Sequence, residues 1–223
     1  MDTQYELMTL FRDGGFMMYP LILCSLIAFG VMLAKGWTLF VAHRDSQRLL
    51  SEIEELGVGG RLEDAIETAE NTRGPVAAIL LAGLRRVRER ASGAPAGGAD
   101  VQKAISTTGV IELDFLERGL PVLGTIANVA PMLGFLGTVI GMILAFQAIE
   151  IAGQVEPGLV AGGIKVALIT TATGLTIAIP VNIAYNYFVT RIDRLILDME
   201  EGAQEVLNLI WSLEDEAGYQ QAS

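Results

Sequence analysis

The sequence is poor in the side chains that most often carry chemistry. It has one cysteine, Cys24, and one histidine, His43. A lone cysteine excludes an intrachain disulfide and offers no cysteine-based metal site. A metal site or a histidine-dependent triad would have to be built around His43 alone. No G-x-S-x-G or H-E-x-x-H motif is present, so we expect that the protein is not an enzyme.

Positive charge is also scarce. The chain has 15 Lys and Arg against 26 Asp and Glu, a formal net charge of −11. This balance argues against an electrostatic hold on nucleic acid. Only 18% of the residues are charged, 52% are hydrophobic, and the mean hydropathy is +0.47. Such values are high for a soluble domain and favour membrane spans.

Three apolar runs are long enough to cross a bilayer, which takes about 20 residues each. They are "FMMYPLILCSLIAFGVMLA", "LPVLGTIANVAPMLGFLGTVIGMILAFQAI" and "GGIKVALITTATGLTIAIPVNIAYNYFV". We therefore predict transmembrane helices over 16–36 (span one), 119–149 (span two) and 162–189 (span three).

The distribution of Lys and Arg predicts the orientation. Basic residues follow span one, precede span two and follow span three: Lys35, Arg44, Arg48, Arg85, Arg86, Arg88, Arg90, Lys103, Arg118, Arg191 and Arg194. The loop 150–161 has Glu150 and Glu156 and no basic residue. The positive-inside rule then places segment 37–118 and the C-terminal helix 190–223 in the cytoplasm, and the loop 150–161 and the N-terminus outside.

The remaining segments read as helix, with no convincing strand pattern. Leu7, Leu10 and Phe11 share one face, which predicts that residues 1–15 hold a short interfacial helix on the outer side. In 37–118, "RLEDAIETAENT" and "PVAAILLAGLRRVRER" have helical spacing, and 190–223 keeps an apolar helical stripe. We predict an all-α integral membrane protein with three transmembrane helices, two of them extended into a cytoplasmic helical bundle.

Spans two and three each carry a narrow stripe of small residues with one threonine. At about 100° per residue, the stripes comprise Gly134, Thr138, Gly141 and Ala145 in span two, and Ala167, Thr171, Gly174 and Ala178 in span three, continued by Asn182 and Tyr185. One interpretation is close helix–helix packing, because small residues let backbones approach. The other is that the stripes line an ion pathway or embrace a further helix.

The spans lack Asp, Glu and His. A subunit that moved protons alone would normally offer an ionisable group inside the membrane. Either the protein conducts nothing, or a partner helix brings the carboxylate.

Two long motifs resemble the signature spans of the MotA/TolQ/ExbB proton-channel family. They are "LPVLGTIANVAPMLGFLGTVIGMILAF" (120–146) and "GIKVALITTATGLTIAIPVNIAYNYF" (163–188). The "GGFMMYPLILCS" entry to span one and the helical segment after it also resemble this family. Size and the number of spans are most similar to ExbB and TolQ.

The resemblance implies a subunit of an ion-driven motor in a bacterial inner membrane, with a periplasmic N-terminus and a cytoplasmic C-terminus. It implies a homopentamer around a dimer of a single-span partner of the ExbD/TolR type, whose helix carries the proton-binding aspartate. A TonB- or TolA-like protein and membrane lipid are further expected partners. The driven work would be of the kind done in TonB-dependent transport or Tol-type envelope maintenance.

The resemblance also implies roles for individual residues. Thr138 and Thr171 fall on the family's pore-lining threonines, and Asn182 continues their stripe. The groove for helix packing comprises Gly134, Gly137, Gly141, Gly174 and Ala178. No cofactor is expected; the coupling ion is the proton, and the hydroxyls of span three leave sodium open.

The chain departs from the family at Val166, where ExbB and TolQ proteins usually have glutamate. A non-conducting oligomeric scaffold for protein partners is the alternative function, because it accounts equally well for spans without a carboxylate.

Overall fold

A computed structural model describes residues 9, 11–58, 61–91 and 98–222. Its long helices within these residues are α1 Met18–Val58, α2 Leu62–Asn71, α3 Pro75–Ala91, α4 Gly98–Glu117, α5 Leu120–Ala152 and α6 Pro157–Ala222. Within the described residues there is no strand, so the all-α fold class is confirmed. Residues 11–13 are helical, but Leu7 and Leu10 of the predicted interfacial helix lie outside the described part.

Three helical stretches of the described chain are long and apolar enough to cross a membrane: Met18–Ala42, Gly98–Ala152 and Val160–Asn208. The apolar part of the second stretch is α5. The chain is therefore a multi-pass membrane protein by the length and composition of its helices.

The chain divides into two compact units. The membrane unit comprises Met1–Lys35 and Gly119–Tyr187, and the polar unit, which holds most of the charged residues, comprises Gly36–Arg118 and Phe188–Ser223. Helices α1 and α6 contribute to both.

Helix α1 is longer than its apolar run. It continues past the predicted end of span one to Val58, because no proline interrupts it and an apolar stripe persists. Leu39, Ala42, Leu49, Ile53 and Leu56 are all buried at intervals of three, four or seven residues, which is the spacing of one helix face.

The start and end of α5 are set by two glycines with positive φ. Gly119 (φ 94°) separates α4 from α5, and Pro121 occupies the first turn of α5. Gly153 (φ 66°) ends α5, and its N–H donates to the carbonyl oxygen of Ile149 at 3.0 Å. Residues with a Cβ rarely adopt this conformation, so these positions favour glycine. The sequence alone had shown no strong break before span two.

In the polar unit, α3 packs against both α2 and α4. The fully buried side chains are large and aliphatic: Leu49, Ile53, Val76, Leu80, Leu84, Val87, Val101, Leu116 and Leu195. Exposed ion pairs join α2 to α3, with Arg85 Nη2 at 2.7 Å from Glu70 Oε1 and Arg88 Nη1 at 3.4 Å from Glu63 Oε2. Exposed pairs of this kind contribute little to stability, so the aliphatic core holds this unit together.

Candidate functional site: the α5–α6 seam of the membrane unit

Helices α5 and α6 pack against each other in antiparallel fashion. Gly141 lies beside Gly163 and Ala167, Gly134 beside Thr171, and Gly124 beside the ring of Tyr185. Going down the sequence of α5, each residue contacts a residue that lies further up the sequence of α6. The two helices therefore run in opposite directions. We call this contact the seam.

The part of the seam next to the α5–α6 loop is a contact of backbone on backbone. A Cβ added at Gly141 would lie 2.7 Å from the carbonyl oxygen of Gly163 and 2.9 Å from the nitrogen of Ala167. A Cβ added at Gly163 would meet the carbonyl oxygen of Gly141 at 2.5 Å and the Cβ of Ala145. Real Cβ atoms are not found so close to backbone, so any side chain here forces the helices apart.

The middle of the seam is equally tight. A Cβ at Gly174 would lie 2.6 Å from the carbonyl oxygen of Ala130, and one at Gly134 would lie 3.1 Å from Cα of Thr171. A Cβ at Gly137 would overlap the side chain of Thr170. Ala178 continues the buried line on α6.

The predicted groove residues are therefore brought together, and the space beside them is occupied by a helix of the same chain. Gly134, Gly137 and Gly141 of α5 are all buried against α6. This is the close-packing arrangement that small-residue faces permit. Any further helix would have to approach another face of α5 or α6.

The two threonines of the stripes converge on one carbonyl. The hydroxyl of Thr171 donates across the seam to the carbonyl oxygen of Gly134 at 3.2 Å, and it lies 3.1 Å from the carbonyl oxygen of its own Ala167. In an α-helix the N–H of Thr138 donates to that same Gly134 carbonyl. The hydroxyl of Thr138 lies 2.6 Å from the carbonyl oxygen of Phe135.

Neither hydroxyl is fixed to a side chain. Thr138 and Thr171 are each partly exposed, and both donate to backbone carbonyls. A hydroxyl rotates about its C–O bond and can both donate and accept. Each can therefore exchange its backbone bond for one to a polar group that arrives beside it.

Thr170 was not singled out by the sequence stripes, yet it is the most buried polar residue of the seam. Its exposed fraction is 0%, and its hydroxyl donates to the carbonyl oxygens of Ala167 at 2.9 Å and Val166 at 3.1 Å. The three-and-four spacing of Ala167, Thr170 and Gly174 was the available signal. Because Thr170 fills the space at Gly137, its hydroxyl has packing as its evident role.

The other hydroxyls of α6 bond to their own helix. Thr173 donates to the carbonyl oxygen of Ile169 and Thr176 to that of Ala172, each at 2.8 Å. Threonine commonly makes this local bond within a helix. These two residues are therefore natural controls for Thr171, whose hydroxyl also reaches the neighbouring helix.

Asn182 lies on α6 eleven residues after Thr171, which is about 16 Å along the helix and on nearly the same face. It is exposed, and its Oδ1 accepts a bond of 3.4 Å from Nδ2 of Asn186. The structure thus places Asn182 on the threonine face but three turns from the threonines.

An ion pair lies near the end of the seam that is next to the α5–α6 loop. Nζ of Lys165 donates to Oδ2 of Asp13, and both side chains are partly exposed. A Cβ at Gly15 would lie 3.8 Å from Val166, and one at Gly14 would lie 3.1 Å from Ile169. The segment before α1 therefore packs on the N-terminal part of α6, and Val166 faces this segment.

The seam offers hydroxyls and carbonyls but no acid. Between Leu120 and Ile149 of α5, and between Val166 and Tyr187 of α6, no residue is ionisable except the two tyrosines, Tyr185 and Tyr187. Among the described residues no cluster of His, Cys, Asp or Glu could hold a metal ion. The site can form hydrogen bonds with a passing polar or charged group, and its spans offer no Asp, Glu or His for proton transfer.

Comparison with known proteins gives a consistent result. Residues 71–201 match the model of the MotA/TolQ/ExbB proton channel family. The chain is 33% identical over 187 residues to an ExbB homolog of Methanothermobacter thermautotrophicus, covering 82% of this chain and 63% of that protein. It is 31% identical over 209 residues to the biopolymer transport protein ExbB of Pseudomonas putida, covering 92% and 62%.

A shorter match of higher identity is found with the Tol-Pal system protein TolQ of Haemophilus influenzae. It is 44% identical over 87 residues, covering 39% of this chain and 38% of that protein. The chain spans less than two thirds of the length of each of these three relatives. Because the family model covers more than half of the chain, including the whole seam, the chain belongs to the MotA/TolQ/ExbB proton channel family.

Proposed function

We propose that the chain is the ion-conducting subunit of a motor driven by the proton-motive force in a bacterial inner membrane. It surrounds a single-span partner of the ExbD/TolR type and acts with it as a homo-oligomer, which the family resemblance suggests is a pentamer. The N-terminus lies in the periplasm and the C-terminus in the cytoplasm. The protein is a transport subunit and not an enzyme.

One observation carries the proposal. The membrane unit presents two rotatable hydroxyls in the middle of its spans, that of Thr138 at the carbonyl oxygen of Phe135 and that of Thr171 at the carbonyl oxygen of Gly134, and α5 and α6 carry no Asp, Glu or His at this level. A proton pathway needs a group that titrates within the membrane. The partner must then supply the carboxylate, and the threonines serve it as it passes.

The energy of a buried carboxylate supports this arrangement, in which the partner supplies the acid and this chain supplies the hydroxyls. An ionised carboxylate in a low-dielectric interior is heavily penalised unless it meets hydrogen-bond donors or takes up a proton. A threonine hydroxyl can donate to the charged acid and accept from the protonated one. A hydrogen bond to a charged group contributes about 1.5–3 kcal/mol, which is enough to bias where the acid loads and releases its proton. Alternation of proton loading and proton release among the subunits drives rotation of one component of the complex relative to the other.

The coupling ion is the proton in this proposal. Sodium stays open as an alternative, because Thr170, Thr173 and Thr176 donate to carbonyls of their own helix and keep their oxygen lone pairs for a cation. The work that the motor energises is of the class of TonB-dependent transport or Tol-type envelope maintenance, which requires a TonB- or TolA-like protein as a further partner.

The test is co-expression with a single-span partner of the ExbD/TolR type from the same organism, followed by reconstitution into proteoliposomes. Acid-quenched dye fluorescence measures proton entry under an imposed gradient. We expect proton flux only when both proteins are present, and loss of flux when the membrane aspartate of the partner is changed to asparagine. Flux by this chain alone, or an assembled complex that conducts nothing with the native partner, would favour the scaffold alternative and contradict the proposal.

A further inference from the structure

The polar unit contains a cavity of about 560 Å³ that the motor function does not use. Residues from α1, α2, α3, α4 and the turn between α2 and α3 line it. Most of its wall is apolar, with Val41 and Ala42 from α1, Ala77 and Leu81 from α3, and Leu116 from α4. A cavity of this size and composition resembles a site for an amphiphile rather than for a small ion.

Two charged groups of opposite sign line the same cavity. Arg73 lies in the turn before α3, and Glu112 lies on α4. Among the described residues neither makes a hydrogen bond or an ion pair. The third charged residue of the lining, Glu70, is already bound to Arg85 at 2.7 Å.

Glu112 is partly buried, and among the described residues its carboxylate forms no ion pair. Burial raises the pKa of its carboxyl group above the ordinary value, since the charged form is desolvated. A cation that binds beside a desolvated carboxylate stabilises its charged form, because it replaces interactions that the carboxylate lost with water. A positively charged part of a ligand is thus the natural complement of this wall.

The cavity is rimmed by aromatic residues at the end of a membrane span. Trp37 is 77% exposed and Phe115 is 54% exposed, and both line the opening. Trp37 follows the apolar run of span one by three residues. Tryptophan is enriched at the membrane–water interface, where its ring meets the lipid headgroups.

We propose that this cavity binds a phospholipid whose headgroup carries a primary ammonium, such as phosphatidylethanolamine. The phosphate pairs with the guanidinium of Arg73, and the ammonium pairs with the carboxylate of Glu112. The acyl chains leave past Trp37 and Phe115 toward the bilayer. In the orientation proposed above, the bound lipid belongs to the cytoplasmic leaflet.

Charge complementarity selects this lipid over an anionic one. Phosphatidylglycerol offers a phosphate to Arg73 but nothing cationic to Glu112, which would remain desolvated and repelled by the incoming anion. A free phosphate or another small anion leaves the apolar wall and the aromatic rim without a function. The zwitterion satisfies both charged groups and the apolar surface together.

The first experiment measures lipid selectivity with variants. The full complex is reconstituted in nanodiscs with equal amounts of phosphatidylethanolamine and phosphatidylglycerol, and the lipids retained after detergent extraction are quantified by mass spectrometry. We expect enrichment of phosphatidylethanolamine in the native protein. Glu112→Gln should lower that enrichment about tenfold, since it removes the charge-assisted bond that only phosphatidylethanolamine makes. Arg73→Gln should lower the retained amount of both lipids, since both offer a phosphate to this side chain.

Two matched controls keep the variants interpretable. Glu117→Gln removes a carboxylate of α4 that is exposed and does not line the cavity, and Arg86→Gln does the same for a guanidinium of α3. Both should retain the native enrichment. Equal retention of the two lipids by the native protein would overturn the proposal. Enrichment of phosphatidylglycerol that depends on Arg73 but not on Glu112 would also overturn it.

A second measurement needs no variant of the cavity. In a Trp211→Phe background, the fluorescence of Trp37 is the only tryptophan signal. Brominated phosphatidylethanolamine should quench it at a lower mole fraction than brominated phosphatidylglycerol. Identical quenching curves for the two lipids would contradict the proposal even if the charge variants fail to fold.

Discussion

The two units of this chain are both built from packed helices, yet they pack by opposite means. In the membrane unit, glycines bring the α5 and α6 backbones together, so that a Cβ at Gly141 would lie 2.7 Å from a backbone oxygen of α6. In the polar unit, large aliphatic side chains such as Leu80 and Leu84 fill the space between helices and are almost completely buried.

The difference follows from the solvent around each unit. In water the burial of apolar side chains is the dominant favourable term, so large residues stabilise a core. In lipid the surroundings are as apolar as leucine, and association depends on close packing and hydrogen bonds between helices. The bond from Thr171 to the Gly134 carbonyl is of this second kind. Leucine therefore holds the polar unit together, and it would force the helices of the seam apart.

The largest effect on stability is expected in the aliphatic core. Leu80→Ala should lower the free energy of unfolding by about 2–5 kcal/mol, because it leaves a cavity among fully buried neighbours. Leu197→Ala removes the same atoms from a side chain that is 63% exposed and should change stability by less than about 0.5 kcal/mol. Denaturant titration of the protein in mild detergent measures both. Equal losses in the two variants would contradict the assignment of the core.

A smaller loss of stability is expected for an alanine substitution in the seam. Its cause is overpacking, whereas the loss at Leu80 comes from a cavity. Gly141→Ala adds a methyl group where backbone atoms lie within 3 Å, and overpacking of this kind costs about 1–3 kcal/mol. Gly141→Leu should prevent α5 and α6 from packing at all. Gly30→Ala is the control, since no atom lies within 4 Å of a Cβ built there. If Gly141→Ala unfolds at the same denaturant concentration as Gly30→Ala, the seam is not as tight as described.

The smallest effect is expected at the Lys165–Asp13 ion pair. Both groups are substantially exposed, at 57% and 37% of their side chains. Solvent screening limits such a pair to less than about 1 kcal/mol. A double-mutant cycle with Asp13→Asn and Lys165→Gln, repeated at high salt, measures the coupling. A coupling that exceeds this bound, or that salt does not reduce, would show that the pair is shielded from solvent.

The sequence was sufficient for the elements with long, regular patterns. The three apolar runs predicted the spans, and helical spacing around Leu62–Asn71 and Pro75–Ala91 predicted α2 and α3. The break at Gly119 was not predicted, because a single glycine in a helical pattern is often tolerated and its positive φ depends on tertiary packing. The extension of α1 to Val58 was also missed, although the buried positions Leu49 and Ile53 keep the helical period.

Only part of the α5–α6 seam could be predicted from the sequence. The stripes placed Gly134, Gly141 and Gly174 on helix faces that need small residues. The sequence pattern does not identify the helix that packs against such a face. That required the pairing of α5 with α6, which depends on contacts far apart in the sequence. Thr170 was missed for the same reason, because only its position opposite Gly137 explains why a hydroxyl is buried there. The roles of Thr138, Thr171 and Asn182 in ion transfer stay predictions.

The most direct test of the account is Thr171→Val, with Thr173→Val as its control. Both substitutions keep the volume nearly constant and remove a hydroxyl that donates within α6, but only Thr171 also reaches the Gly134 carbonyl. The measurement is gradient-driven proton flux per assembled complex in proteoliposomes with the native partner. The account predicts that Thr171→Val assembles normally and loses the flux, while Thr173→Val retains both. If Thr171→Val loses flux only in proportion to assembly, or keeps its full flux, the hydroxyl belongs to the helix seam alone and the pore role is wrong.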